Sequence, residues 1–292
     1  MGNALVIGSG GQLAKAYKEL LPDALFVGRD TLDLQHPMQV RGVLSSLQPT
    51  AVINTAAYTQ VDKAETDEAV ARAVNAESPL EMARYCAAHD IPFIHFSTDY
   101  VFNGEGKTPW KETDATAPLN AYGRSKLAGE QAIAESGAHH LLFRTSWVYD
   151  AFGKNFVNTI LRLAGEREEL KVIDDQFGAP TYAPHLAAGA IAALEAALGM
   201  EAFPSGIYHL CNAGETTWFR FAKRITSHAK QAGLPVKVKN ILPIPATDYP
   251  LPAHRPYNSR LDCTKARSIL GVTMPAWEEG LAACMEKKRE SA

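Results

Sequence analysis

Five short apolar runs, each followed by glycine or polar residues and separated by longer helix-like stretches, are the feature of this chain that most restricts its fold. They are Ala4 to Ile7, Leu25 to Val27, Ala51 to Ile53, Phe93 to Phe96 and Leu141 to Phe143. Runs this short and almost wholly apolar read as strands buried on both faces. Their alternation with helical patterns implies βαβ units, hence a parallel sheet with helices on both sides. In such a sheet ligands gather at the carboxyl ends of the strands. The residues found there are Gly8-Ser9-Gly10-Gly11, Arg29-Asp30, Asn54 to Tyr58, Ser97-Thr98-Asp99-Tyr100 and Thr145-Ser146-Trp147. The expected architecture is a Rossmann-like, doubly wound α/β sheet with a smaller C-terminal α/β lobe. Residues 1–150 form the dinucleotide-binding part, 184–212 return to it, and 151–183 with 213–292 form the second lobe.

Composition narrows the partners rather than the fold. Twenty-nine basic against 32 acidic side chains leave a formal charge of -3, which gives no global reason to expect nucleic acid or an anionic membrane. The apolar stretch from Leu186 to Leu198 is too short to span a bilayer and contains Glu195. Met1-Gly2-Asn3-Ala4-Leu5-Val6 reads as neither a secretion signal nor an acylation site. The four cysteines are far apart in sequence and no CxxC is present, so reduced thiols, no metal site and a cytoplasmic location are expected.

Gly8-Ser9-Gly10-Gly11-Gln12-Leu13-Ala14 follows the first run and opens a helical pattern from Gln12 to Leu21. A turn of this kind lets the backbone approach a pyrophosphate, whose charge the free N–H groups and the helix dipole favour. Gly8 serves the tight turn, Gly11 the close approach and Ala14 the packing of helix on strand. At the end of the second run an acid would bond a ribose 2'-hydroxyl, whereas a guanidinium accommodates a 2'-phosphate. Arg29 occupies that place, so NADPH is the expected cofactor, with NADH as the second choice.

Tyr122 and Lys126 are four residues apart at the start of another helical pattern, so both lie on one face. A free phenol has a pKa near ~10; a neighbouring ammonium stabilises phenolate and brings the phenol toward working pH. Tyr122 then serves as proton donor to a carbonyl oxygen and Lys126 as its electrostatic partner. Thr98, with Ser97 as the less favoured neighbour, supplies a hydroxyl to orient that carbonyl.

Together these features resemble the extended short-chain dehydrogenase/reductases that act on nucleotide sugars. The segments Gly11-Gln12-Leu13, Asn54 to Glu65, Ser97 to Phe102, Tyr122 to Glu130, Arg144 to Tyr149 and Arg255-Pro256-Tyr257-Asn258-Ser259 narrow the resemblance to the dTDP-4-dehydrorhamnose reductase family, over nearly the whole chain. The resemblance implies NAD(P)H-dependent reduction of the C4 ketone of a dTDP-4-dehydro sugar, the last step of dTDP-rhamnose synthesis. It also implies Tyr122, Lys126 and Thr98 as the catalytic set, with Thr98, Asp99 and Trp147 at the substrate. The cofactor would meet Gly8 to Leu13, Arg29, Asp33, Leu34, Ala57, Tyr58, Thr59 and Phe96, as well as Tyr122 and Lys126. Arg255 would neutralise the substrate diphosphate.

The chain departs from the family in carrying Arg29 where members commonly place an acid. It also lacks the early-helix glutamate of a metal-bridged dimer, since Gln12 to Ala16 contains no acid. No such dimer is expected, and the oligomeric state, homodimer included, stays open. The competing readings are an epimerase or dehydratase of the same branch that recycles bound NAD, and a non-catalytic subunit like the regulatory partner of methionine adenosyltransferase.

Overall fold

The computed structural model describes residues 3–291; the reading of Met1 and Gly2 concerns residues outside these. Six parallel strands form the main sheet, in the order β2-β1-β3-β4-β5 followed by Gly206–His209. They are β1 (Ala4–Ile7), β2 (Leu25–Val27), β3 (Ala51–Asn54), β4 (Phe93–Thr98) and β5 (His140–Thr145). β1 pairs with β2 on one side and β3 on the other. The chain therefore reverses its winding between β1 and β3, which is where a doubly wound sheet opens a crevice for ligands.

Alternation along the strands sorts the core into two faces. Val6, Ile53, Ile94, Leu141 and Phe143 pack under α1 (Gln12–Leu20) and the helix Ala183–Leu198. Leu5, Ile7, Val52, Phe93 and Leu142 pack against Val40, Leu44, Met82 and Cys86 of the helices Gln39–Leu47 and Ser78–His89. β4 and β5 each run beyond the apolar core of their segment, to Thr98 and Thr145, and carry polar side chains into the buried end of the sheet.

A separate apolar cluster joins the helices Phe156–Glu166, Trp218–Gln231 and Trp277–Glu290 through Val157, Ile160, Phe221, Ile225, Trp277 and Leu281. Beside it Glu169–Ile173 pairs in parallel with Asn240–Ile244. Among the described residues no helix is long and apolar enough to cross a membrane.

The helix Ala121–Ala134 begins with Asn120, whose side chain accepts from Gly123 N at 2.8 Å, as an N-cap should. It lies directly on the segment Ala73–Glu77. Asn75 from that segment donates to Ser125 Oγ at 2.9 Å and accepts from Tyr58 N at 2.9 Å, joining the helix to the loop after β3. The contact is close because Gly129 has no side chain: a Cβ there would overlap the Asn75 carbonyl oxygen, a backbone atom that cannot turn away. Gly129→Ala is expected to destabilise the protein by about 1–3 kcal/mol through overpacking, measured as a lower urea midpoint with an unchanged slope.

Candidate active site

The carboxyl ends of β1 and β3 open into a cleft of about 1020 Å³. The turn Gly8, Gly10, Gly11, Gln12 and Leu13 lines it beside Arg29, Asp33 and Leu34. The loop residues Ala57, Tyr58 and Thr59 line it too, as do Phe96, Tyr122 and Lys126.

The turn is built for close approach. Gly8 has φ +103°, and a Cβ there would come within 2.7 Å of Thr55 Oγ1, whose hydroxyl is held by donating to Ile7 O at 2.8 Å. A Cβ at Gly10 or Gly11 would meet nothing within 4 Å. α1 has no acidic residue in its first turn and no side-chain cap, so its leading N–H groups and dipole are left for an anion. A dinucleotide pyrophosphate fits this chemistry. Arg29 is 71% exposed and 3.4 Å from Asp33. The Gln35 N–H and then Arg29 hold the Asp33 carboxyl below its ordinary range.

Tyr122 and Thr98 lie where β4 and the helix Ala121–Ala134 meet. Burial first, then Asp99, holds the Tyr122 phenol above its ordinary range, while the Thr98 hydroxyl acts the other way. Thr98 Oγ1 donates to Asp99 Oδ1 at 3.1 Å and accepts from Tyr100 N at 3.2 Å. Asp99 is itself buried, which pushes its carboxyl up to about 7 against the opposing pull of the Ser259 and Thr98 hydroxyls.

Lys126 departs from the expected geometry. Its Nζ donates to Phe96 O at 2.6 Å and sits 3.1 Å from His95 Nε2. Burial pushes it down to about 8. In this arrangement the lysine serves the β4 backbone, and burial rather than an ammonium neighbour governs the phenol.

Thr98, Asp99, Trp147 and Arg255 lie outside the lining of the cleft, where Ser97 stands beside Thr98. Trp147 has φ +49° and stacks on Trp218, with ring centroids 3.6 Å apart. A Cβ at Gly178 would meet that indole at 2.7 Å, so the stack fits only against glycine. Arg255 makes two hydrogen bonds to Asp62, at 2.6 and 2.7 Å, and holds that carboxyl below its ordinary range.

The family model described as the RmlD substrate binding domain matches residues 2–290. A dTDP-4-dehydrorhamnose reductase of Burkholderia thailandensis is 43% identical over 290 residues, covering 96% of this chain and 97% of the relative. The chain belongs to the dTDP-4-dehydrorhamnose reductase family. The Escherichia coli K12 reductase is 47% identical over 251 residues, covering 85% of this chain and 83% of its own length. A Bacillus anthracis member of the family, solved in complex with NADP, superposes with a TM-score of 0.89 at 35% identity, covering 98% of this chain and 99% of that one.

Within this family fold, the sequence assigned no role to Asn54 or His95, both buried, of which His95 meets Lys126 and Asn54 meets His95. The signal was available: each is a polar residue inside or ending an apolar run. Lys63, Phe152 and Lys154 also line the cleft, and nothing in their local pattern marks them. Asn155 Nδ2 donates to Gln12 Oε1 at 2.7 Å, bringing that later loop to the glycine turn.

The raised Asp99 carboxyl has a consequence for stability. Folded Asp99 binds a proton more tightly than unfolded Asp99, near ~3.9, so its contribution is full below that value and is lost as pH rises toward about 7. Urea unfolding between those limits should show stability falling with pH, and Asp99→Asn should flatten that part of the profile.

Proposed function

We propose that this chain reduces the C4 ketone of dTDP-4-dehydro-β-L-rhamnose to dTDP-L-rhamnose with NADPH, the last step of dTDP-rhamnose formation, in the cytoplasm. The observation that carries this reading is the partly buried Tyr122 phenol, which lines one end of a cleft whose other wall is the glycine turn and has the Thr98 hydroxyl beside it. Residues 1–150 with 184–212 would hold the cofactor, and 151–183 with 213–292 the sugar nucleotide.

When bound, NADPH supplies the hydride. The protein's own part is to bind, orient and protonate. The Gly8 to Leu13 turn and the α1 N-terminus receive the pyrophosphate; Arg29 receives the 2'-phosphate, and Asp33, Leu34, Ala57, Tyr58, Thr59 and Phe96 flank the nucleotide. Thr98 orients the ketone, and Tyr122 donates its proton to the oxygen as negative charge develops there. A phenol kept protonated by burial is loaded for that task. Lys126 sets the charge near Tyr122. Asp99 accepts sugar hydroxyls, Trp147 offers an apolar wall with one N–H, and Arg255 shares its guanidinium between Asp62 and the substrate diphosphate.

A spectrophotometric assay of NADPH oxidation with dTDP-4-dehydro-L-rhamnose, with the product identified by NMR, tests the reading. A rhamno product with stoichiometric oxidation supports it. No turnover would favour a regulatory subunit, no net consumption an epimerase, and a talo product the opposite face of the ketone. Arg29→Ala is expected to raise KM for NADPH by about 10–100-fold, the worth of a charged hydrogen-bonded contact, and to leave KM for NADH nearly unchanged. Equal losses for both cofactors would remove Arg29 from the 2'-phosphate.

A further inference from the structure

Asn54, His95 and Lys126 form a buried row, each about 1% exposed, that crosses from β3 through β4 to the helix carrying Tyr122. Its donors and acceptors can be assigned one by one. Asn54 Oδ1 accepts from the Ala56 backbone N–H at 3.1 Å, and a backbone N–H can only donate. The Asn54 amide is thereby oriented, so its Nδ2 is the atom 3.1 Å from His95 Nδ1 and donates to it. A neutral imidazole carries one proton. With Nδ1 accepting, that proton sits on Nε2, and Nε2–H faces Lys126 Nζ at 3.1 Å. An ammonium has no lone pair to receive it, whereas a neutral amine accepts from Nε2–H and still donates to Phe96 O at 2.6 Å.

We propose that Asn54 and His95 are positioning residues that favour the neutral amine of Lys126 in the cofactor-free protein, so that charging Lys126 requires it to leave His95 or His95 to change tautomer. Burial acts in the same sense on both groups, lowering His95 well below its ordinary range and Lys126 to about 8. The titratable groups around the lysine are His95 from β4 and, on its own helix, Tyr122 one turn before and Glu130 one turn after. Glu130 favours the charged lysine but is paired with Arg144 of β5. On this account His95 sets the pH at which an ammonium becomes available beside Tyr122. The inference rests on Lys126 belonging to the active site, not on the identity of the sugar.

The test begins on the cofactor-free wild type with 15N-labelled histidine. His95 is assigned through its contact with the Phe93 ring, 5.9 Å between centroids. Above the Lys126 transition at about 8 the expected spectrum has a protonated Nε2 and a pyridine-like Nδ1. Asn54→Asp, whose second carboxylate oxygen must accept from Nδ1–H, should exchange the two. A protonated Nδ1 in the wild type under those conditions, or a Lys126 13Cε transition no lower in the wild type than in His95→Gln, overturns the proposal whatever the substrate proves to be. In turnover, His95→Gln replaces the fixed donor with an amide that turns to accept. It is expected to move the basic limb of kcat upward by about one pH unit, the tenfold in proton affinity of one charge-assisted hydrogen bond. A uniform fall in kcat with an unmoved limb would assign His95 a merely structural role.

Discussion

Tyr122→Phe is expected to lower kcat by about 10²–10⁴-fold, the usual contribution of a positioned general acid, while KM for the sugar nucleotide and for NADPH changes little. The substitution removes one oxygen and keeps the ring. That ring packs edge-on against Tyr100, with centroids 5.6 Å apart, and beside Ala64, Ala71 and Ala121, so the helix Ala121–Ala134 retains its seat. The phenol itself contributes little to holding the fold and a great deal to the chemistry. Because burial and Asp99 keep it protonated, the wild type presents a loaded donor across the neutral range, and the variant presents none. A mutant that oxidised NADPH at the full wild-type rate would remove Tyr122 from the proton-donor role. A loss confined to KM would make it a binding group instead.

What could be read from the sequence was whatever is local. β1 and β2 coincide with their apolar runs, and the glycine turn, α1 and the Tyr122–Lys126 spacing are each written within about a dozen residues. The first is a continuous apolar stretch and the last a four-residue helical step, so neither needs a distant partner to be recognised. What escaped are pairings between residues far apart along the chain. Arg255 meets Asp62 across 193 positions, and His95 is explained only by Asn54 and Lys126 on either side of it. Cys211 and Cys263, distant in sequence, come within 3.5 Å sulfur to sulfur. The region after Trp147 was legible in a coarser way. Its helices bury one face and expose the other, and strands of only two residues, such as Val148–Tyr149 and Thr181–Tyr182, are too short to show any period. Lys126 illustrates the limit most clearly. Its position four residues from Tyr122 was plain, but where its Nζ points is decided by the Phe96 carbonyl and by the imidazole of His95.

Arg144→Met is expected to cost about 3–5 kcal/mol of stability, the largest loss foreseen for any single substitution here, because it strips the partner from a buried carboxylate. Arg144 Nε and Nη2 donate to the two oxygens of Glu130 at 2.9 and 2.6 Å, with both side chains 3% exposed or less. The guanidinium also lies 4.9 Å from the centre of the Phe102 ring. Methionine keeps most of the stem and the contact with that ring but none of the donors, so Glu130 is left buried without its counter-charge. Glu130→Met in the same chain removes the stranded charge and should restore most of the lost stability, since a buried ion pair replaced as a unit is close to neutral. Urea unfolding of both single variants and the double variant measures the cycle. If the single Arg144 variant lost less than about 1 kcal/mol, water would have to reach Glu130 and the pair would not be sealed as the structure has it. The double variant then separates stability from chemistry. Glu130 favours the charged form of Lys126 one turn earlier on the helix. A protein that regains its unfolding midpoint without Glu130 should therefore charge Lys126 only at lower pH, and the basic limb of its activity should move down, opposite in sign to the effect of His95→Gln.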